Sequence, residues 1–259
     1  MRTTIAIMMK ELRVTFTTPV AYVVLAGSTF VTSFLFLRLL RRFVGMVRMT
    51  QSMRPQDLYR LNLTDYVISP LVYNVAIVLV FAVPFITMRL VAEEKRMRTF
   101  ELLQTCPVRP LHIALGKYLA SLVMVLIITV ILSFFPMLIQ AYTKMGSVDW
   151  VTVGSGLLGV FIMGAAFTAV GLFVSSVTSS QIIACFITWC VLMLFWMIGW
   201  AAADNTGVTR DVLLNVSAME HVRSFASGVL DIKDLVYFIS MALFGLFLTH
   251  QTIEAQRWR

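Results

Sequence analysis

Along the chain, long uncharged apolar runs alternate with short segments that gather nearly all of its charge. Residues 19–37 give 19 uncharged positions, 66–88 give 23, and 118–143 give 26. A longer stretch, 150–203, runs for 54 positions without an Asp, Glu, Lys or Arg. A membrane-spanning helix needs roughly 20 mostly apolar residues. The long stretch therefore suits two helices, 150–174 and 182–203, with the polar break SSVTSSQ at 175–181 as their turn. A last run covers 235–253. The pattern predicts six spans, with both termini on the same side of the membrane.

Composition agrees. Hydrophobic residues make up 59% of the 259 and charged residues only 13%, about half the fraction usual in soluble domains. The expected class is an all-α polytopic membrane protein forming one transmembrane domain over residues 1–259. The net charge of +8 then reads as membrane-flanking charge and calls for no nucleic-acid partner. Cys106, Cys185 and Cys190 are too few and too scattered for a disulfide framework. The first long run begins at Pro19 and is followed by Arg38, Arg41 and Arg42, which is not the pattern of a cleavable signal.

The flanking charges leave orientation open. With a cytoplasmic N-terminus, 11 Lys/Arg fall inside and 10 outside, so the positive-inside rule returns a tie. The segment RLLRRFVGMVRM has helical order: Arg38, Arg41, Arg42 and Arg48 share one face, and Leu39, Leu40, Phe43, Val44, Met46 and Val47 take the other. Such a face suits an interfacial helix whose arginines reach headgroups. The sharper alternative is a basic rim for an anionic substrate or partner protein. Before the first run, Ile5, Met8, Met9 and Leu12 recur at helical spacing, with Lys10, Glu11 and Arg13 between them. These predict a short helix lying on the membrane surface.

Catalytic patterns are missing. His112, His221 and His250 are far apart and form no metal or nucleophile motif. Gly116-Lys117 is preceded by Leu111 and followed by Tyr118, so there is no Walker A loop. No carboxylate lies within the six runs, which argues against ion-coupled transport. Energy must then come from a separate partner. Ser155/Gly159 and Ala165/Ala169 are four apart in the fourth span, beside Gly164 and Gly171, and predict close helix packing.

The densest charge is in RLVAEEKRMRTFELLQTCPVRP, residues 89–110, where eight of 22 positions are charged. As a helix it would pair Glu94 with Arg98 and Arg98 with Glu101, and set Met97, Phe100 and Leu103 to one side. Pro107 and Pro110 would end it. A short amphipathic helix between two spans suits a groove on another protein; a solvated loop is the plainer alternative.

This stretch, continued through LHIALGKYLAS, resembles the signature of ABC-2 type permeases. An acidic pair, basic residues, a Thr, ELL and a Pro there precede a Gly-Lys entering span three. The matching positions are Glu93, Glu94, Lys95, Arg96, Thr99, Glu101, Leu102, Leu103, Pro107, Gly116 and Lys117. The C-terminal stretch is similar to the gliding-motility-type branch at His221, Phe225, Gly228, Val229, Asp231, Asp234, Tyr237, Phe238, Arg257 and Trp258. One departure stands out. Arg98 occupies a position where the family commonly has Gly, and favours continuous helix there.

The resemblance implies an ABC-2 permease fold with an N-terminal interfacial helix and a cytoplasmic coupling segment at 89–117. It implies a bacterial cytoplasmic membrane protein with both termini cytoplasmic. Two ABC ATPase subunits, which hold ATP and Mg, a second permease copy (identical or related), an extracytoplasmic auxiliary protein and membrane lipids are the implied partners. No cofactor, metal or catalytic site is expected in this chain itself. Glu93, Glu94, Lys95, Arg96, Met97, Arg98, Thr99, Phe100, Glu101 and Leu103 are the expected ATPase-coupling residues. Arg38, Arg41, Arg42 and Arg48 would form an extracytoplasmic basic rim. His221, Asp231 and Asp234 would cap the outer end of the last span through a short re-entrant or surface helix, with Asp231 as N-cap. Substrate export and a mechanotransmission complex that moves nothing across the membrane both fit.

Overall fold

A computed structural model describes residues 2–53, 62–99, 109–142, 148–203 and 206–257. Within them the chain is helical and no strand occurs. The helices are α1 (Arg2–Thr17), α2 (Pro19–Met53), α3 (Ser69–Thr87), α4 (Ala92–Arg96), α5 (Pro110–Tyr142), α6 (Trp150–Val177), α7 (Gln181–Ala203), α8 (Val208–Val216), α9 (Ala218–Ala226) and α10 (Ile232–Arg257). Six of them, α2, α3, α5, α6, α7 and α10, are long and apolar enough to cross a membrane.

Two boundaries differ from the sequence expectation. The Arg-rich segment is no separate interfacial helix but the second half of α2, which has 35 residues. At 1.5 Å per residue it is about 50 Å long, against about 30 Å of hydrocarbon. Nothing between Leu37 and Met53 stops it: there is no proline, and the lone Gly45 costs only about 1 kcal/mol. The serine-rich break is also shorter than expected. Ser175 and Ser176 stay in α6, so residues 178–180 alone connect α6 to α7.

Helix α6 is the centre of the bundle and packs on α3, α5, α7, α9 and α10. Its small residues are what let these helices approach. A methyl group on Gly159 would lie 2.4 Å from Phe225 of α9, on Gly164 2.4 Å from Val125 of α5, and on Gly171 2.3 Å from the Thr87 hydroxyl of α3. Around these contacts Val160, Met163, Phe167, Leu79 and Val83 are fully enclosed. In contrast α2, α7 and α10 turn large apolar side chains outward, including Phe30, Phe186 and Phe244, as lipid or a further subunit requires.

Replacing Gly159 by Val should destabilise the bundle by about 1–3 kcal/mol, because Phe225 has to move. Gly154, in the same helix, has open space at its Cβ position, so Gly154→Ala should be neutral to stabilising by up to about 1 kcal/mol. Thermal unfolding of both variants in detergent checks the contrast.

Candidate functional site

The charged segment after α3 is built into the bundle on one side and exposed on the other. Helix α3 ends at Thr87, and the turn at residues 88–91 aims the free amides of α4 at the end of α6. There Ser175 Oγ accepts from Val91 N at 3.2 Å and from Ala92 N at 3.1 Å, and donates to Met88 O at 3.2 Å. Val91, the N-cap of α4, has no capping side chain of its own. A serine 84 positions away supplies what a helix start needs. Next to it the Ser176 carbonyl accepts from Lys95 Nζ and from Gln256 Nε2 of α10. The ends of α6 and α10 and the start of α4 thus meet at two serines.

Glu93 and Glu94 part ways. Glu93 forms a two-pronged pair with the Arg89 guanidinium, at 2.7 and 2.8 Å. Glu94 turns inward, where its two carboxylate oxygens lie 2.5 Å from Lys10 Nζ and 2.8 Å from Lys117 Nζ. Lys117 in turn lies 2.8 Å from Glu11 Oε1 and donates to the Leu90 carbonyl. Its side chain is 0% exposed. An isolated buried ammonium would be very costly; here it donates to Glu11 and to the Leu90 carbonyl and forms an ion pair with Glu94. Two lysines and two glutamates make the cluster neutral. Burial opposes the Lys10 charge, but the Glu94 and Glu11 carboxylates outweigh it and hold the Lys10 ammonium above the ordinary lysine pKa.

Gly116 explains the residue before Lys117. A methyl group there would lie 2.8 Å from Ile7 and 3.0 Å from the Thr4 carbonyl, so only glycine lets α1 press onto α5. That contact carries Glu11 to Lys117. The expected N-terminal helix is present as α1: Glu11 is buried, while Ile5 and Met9 are 54% and 46% exposed.

The expectation of a continuous helix through Arg98 also fails. Helix α4 ends at Arg96, and Arg98 has φ +57, the left-handed conformation usual for the glycine that follows a helix. A non-glycine residue there costs about 1–2 kcal/mol. Local bonds offset this: Met97 N donates to the Glu93 and Lys95 carbonyls, Arg98 N to Lys95 O, and Thr99 Oγ1 to Glu94 O. The expected Glu94–Arg98 pairing gives way to Glu94 with Lys10 and Lys117. Arg96, Met97, Arg98 and Thr99 are left exposed, with Met97 66% accessible. Phe100, Glu101 and Leu103 lie outside the described residues.

The other two expected groups are far from this junction. Arg38, Arg41, Arg42 and Arg48 are exposed along one side of α2, and Leu39, Leu40 and Phe43 pack inward. Val44, assigned to the apolar side, is 42% exposed. His221 on α9 meets Asp234 on α10 at 2.6 Å, both buried. Asp231 precedes α10, its carbonyl accepting from Asp234 N and Leu235 N, and its carboxylate lies 3.1 Å from Lys233. Gly228 ends the α9 turn with φ +86. Lys10, Glu11, Ser175, Ser176 and Gln256 were not expected at any site. A lysine at the start of a long apolar run was the one signal for this cluster, since such a charge has to be paired.

Lys117→Met should destabilise the chain by about 3–5 kcal/mol, because it leaves two buried carboxylates facing one lysine. Adding Glu11→Gln and Glu94→Gln should recover most of the loss. Unfolding midpoints in detergent distinguish the two. Arg98→Gly should be neutral to slightly stabilising and Arg98→Val destabilising by more than about 1 kcal/mol, measured the same way.

Residues 14–219 match the family described as ABC-2 family transporter protein. No curated protein matches the chain. The family match spans most of the chain, and six apolar helices make it a multi-pass membrane protein. The chain belongs to the ABC-2 transporter family and is a transporter membrane subunit.

Proposed function

We propose that this subunit is driven by a separate ABC ATPase, docked at residues 93–103 on the cytoplasmic side, and that it works as a pair of permease copies over two ATPase subunits. ATP and Mg are held by the partner. The observation that carries this reading is the junction around Lys117 and Ser175. A push on the exposed Arg96–Thr99 turn is carried by α4 to α1, α5, α6 and α10 together, so the bundle can respond as a rigid body. Export across the bacterial cytoplasmic membrane, with both termini cytoplasmic, is the reading that follows from the family.

The contact surface differs from a simple transfer of the family's motif. Glu94 is engaged inside the bundle and acts on the ATPase by holding the turn in place. Arg96, Met97, Arg98 and Thr99 make the contact, an apolar side chain flanked by two guanidiniums. They suit a partner groove with an apolar floor and acidic rim.

A second reading, mechanotransmission to an outer protein without transport, is favoured by α2 alone. Its arginine-bearing half runs about 20 Å beyond the hydrocarbon, far enough to hold an extracytoplasmic auxiliary protein through Arg38, Arg41, Arg42 and Arg48.

Arg96→Glu with Arg98→Glu should abolish co-purification of the ATPase and its stimulation by this subunit, with membrane insertion unchanged. Unaltered co-purification and ATPase rate would remove the docking role. Changing the four α2 arginines to Gln should release an acidic outer partner, detected by cross-linking at the cell surface; a change in lipid contact alone would leave only headgroup snorkelling.

A further inference from the structure

At the end of the bundle away from the charged junction, α8 and α9 are clasped to the start of α10 through the His221 imidazole, with the Tyr237 hydroxyl beside it. His221 Nδ1 lies 2.6 Å from Asp234 Oδ1, and Nε2 lies 3.0 Å from the Asn215 carbonyl. His221 is 6% exposed and Asp234 1%. Tyr237 stacks on the imidazole at 4.1 Å and 22° and donates to the Val216 carbonyl at 2.7 Å. The free C-terminal carbonyls of α8 are thus capped by side chains from α9 and α10.

The hydrogen-bond arithmetic restricts the ring. A carbonyl can only accept, so Nε2 must carry a hydrogen. An ionised Asp234 can also only accept, so Nδ1 must carry one as well. Asp234 sits in the first turn of α10, where the helix end favours a negative charge, and its Oδ2 has no hydrogen-bond partner among the described residues. With Asp234 ionised, the doubly protonated ring is the arrangement that leaves no acceptor facing an acceptor.

We propose that His221 and Asp234 form a proton-binding site, an imidazolium held between Asp234 and the end of α8, and that this proton fastens the α8–α9 pair to the last span. The surroundings suit a cation. A cleft of about 330 Å³ beside the pair is lined by Asp211 of α8, Glu220 of α9 and Lys233 of α10. Lys233 pairs with Asp231, and Arg223 of α9 lies 3.8 Å from Glu220. Tyr73 of α3 faces Glu220 and Arg223. Helices α6 and α7, which also pack on α9, contain no charged residue. Removing the proton keeps the hydrogen on Nδ1, facing the Asp234 carboxylate, and leaves the Asn215 carbonyl against a bare Nε2, so the bond from His221 to the end of α8 is lost.

The test uses the full chain in liposomes with His112→Gln and His250→Gln, so that His221 is the sole histidine, labelled with ¹⁵N and read by solid-state NMR at neutral pH. Both ring nitrogens should carry hydrogen. In Asp234→Asn the amide can donate to Nδ1, so the ring should become neutral with hydrogen on Nε2 alone. Hydrogen exchange over residues 208–226 should stay unchanged in that variant and rise about tenfold or more in Asp234→Ala. A neutral ring in the parent chain overturns the proposal, as does equal exchange in all three chains. If Asp234→Ala fails to insert, the ring comparison between the parent and Asp234→Asn still decides.

Discussion

The structure depends on one buried ammonium group. Lys117 is placed where no water can solvate it, and a charge there is tolerated only if neighbouring elements bring acceptors to it. Glu11 comes from α1, Glu94 from α4 and the Leu90 carbonyl from the turn after α3. The lysine adds to what else holds these elements: the five-residue α4 is also bonded to Ser175 and Ser176, and α1 also presses onto Gly116 of α5. The lysine fixes α1 and α4 by the cost of leaving it alone.

What the ammonium fixes, α6 distributes. Its last turn caps α4 through Ser175 and receives Lys95 and Gln256 at Ser176. Its glycines bring Thr87, Val125 and Phe225 into backbone contact along its length. At its other end Ser155 donates to the Phe225 carbonyl at 3.0 Å, which ties in α9 and the His221 clasp. One helix thereby joins the charged junction to the far end of the bundle. Close packing of this kind transmits displacement because it has little slack.

Much of this could be read from the chain. Six uncharged runs set six spans, because backbone polar groups in lipid leave few other choices. The small-residue spacing in the fourth span located the centre of packing. Besides the two helix boundaries, Arg98 and Glu94 were misread for physical reasons. Local propensity favoured a continuous helix through Arg98, but the inward pull on Glu94 and the closing bonds of the turn overrode a cost of about 1–2 kcal/mol. Glu94 looked like a surface charge because its partners, Lys10 and Lys117, lie 84 positions before it and 23 after it, beyond any local pattern. The Ser175 cap is equally remote from α4. By contrast, pairing Lys117 was legible as a need, though not in its partners.

The exposed turn and the end of α6 should move as one block, because Ser175 and Ser176 bond the start of α4 and Lys117 holds Glu94 of that helix from the other side. Spin labels at positions 97 and 177, in a cysteine-free background reconstituted with the proposed ATPase partner, measure this by pulsed electron resonance. The distance distribution should be narrow and identical with and without ATP, and should broaden in Lys117→Met. A distribution that shifts with ATP in the unaltered chain, or stays narrow in Lys117→Met, would contradict the account.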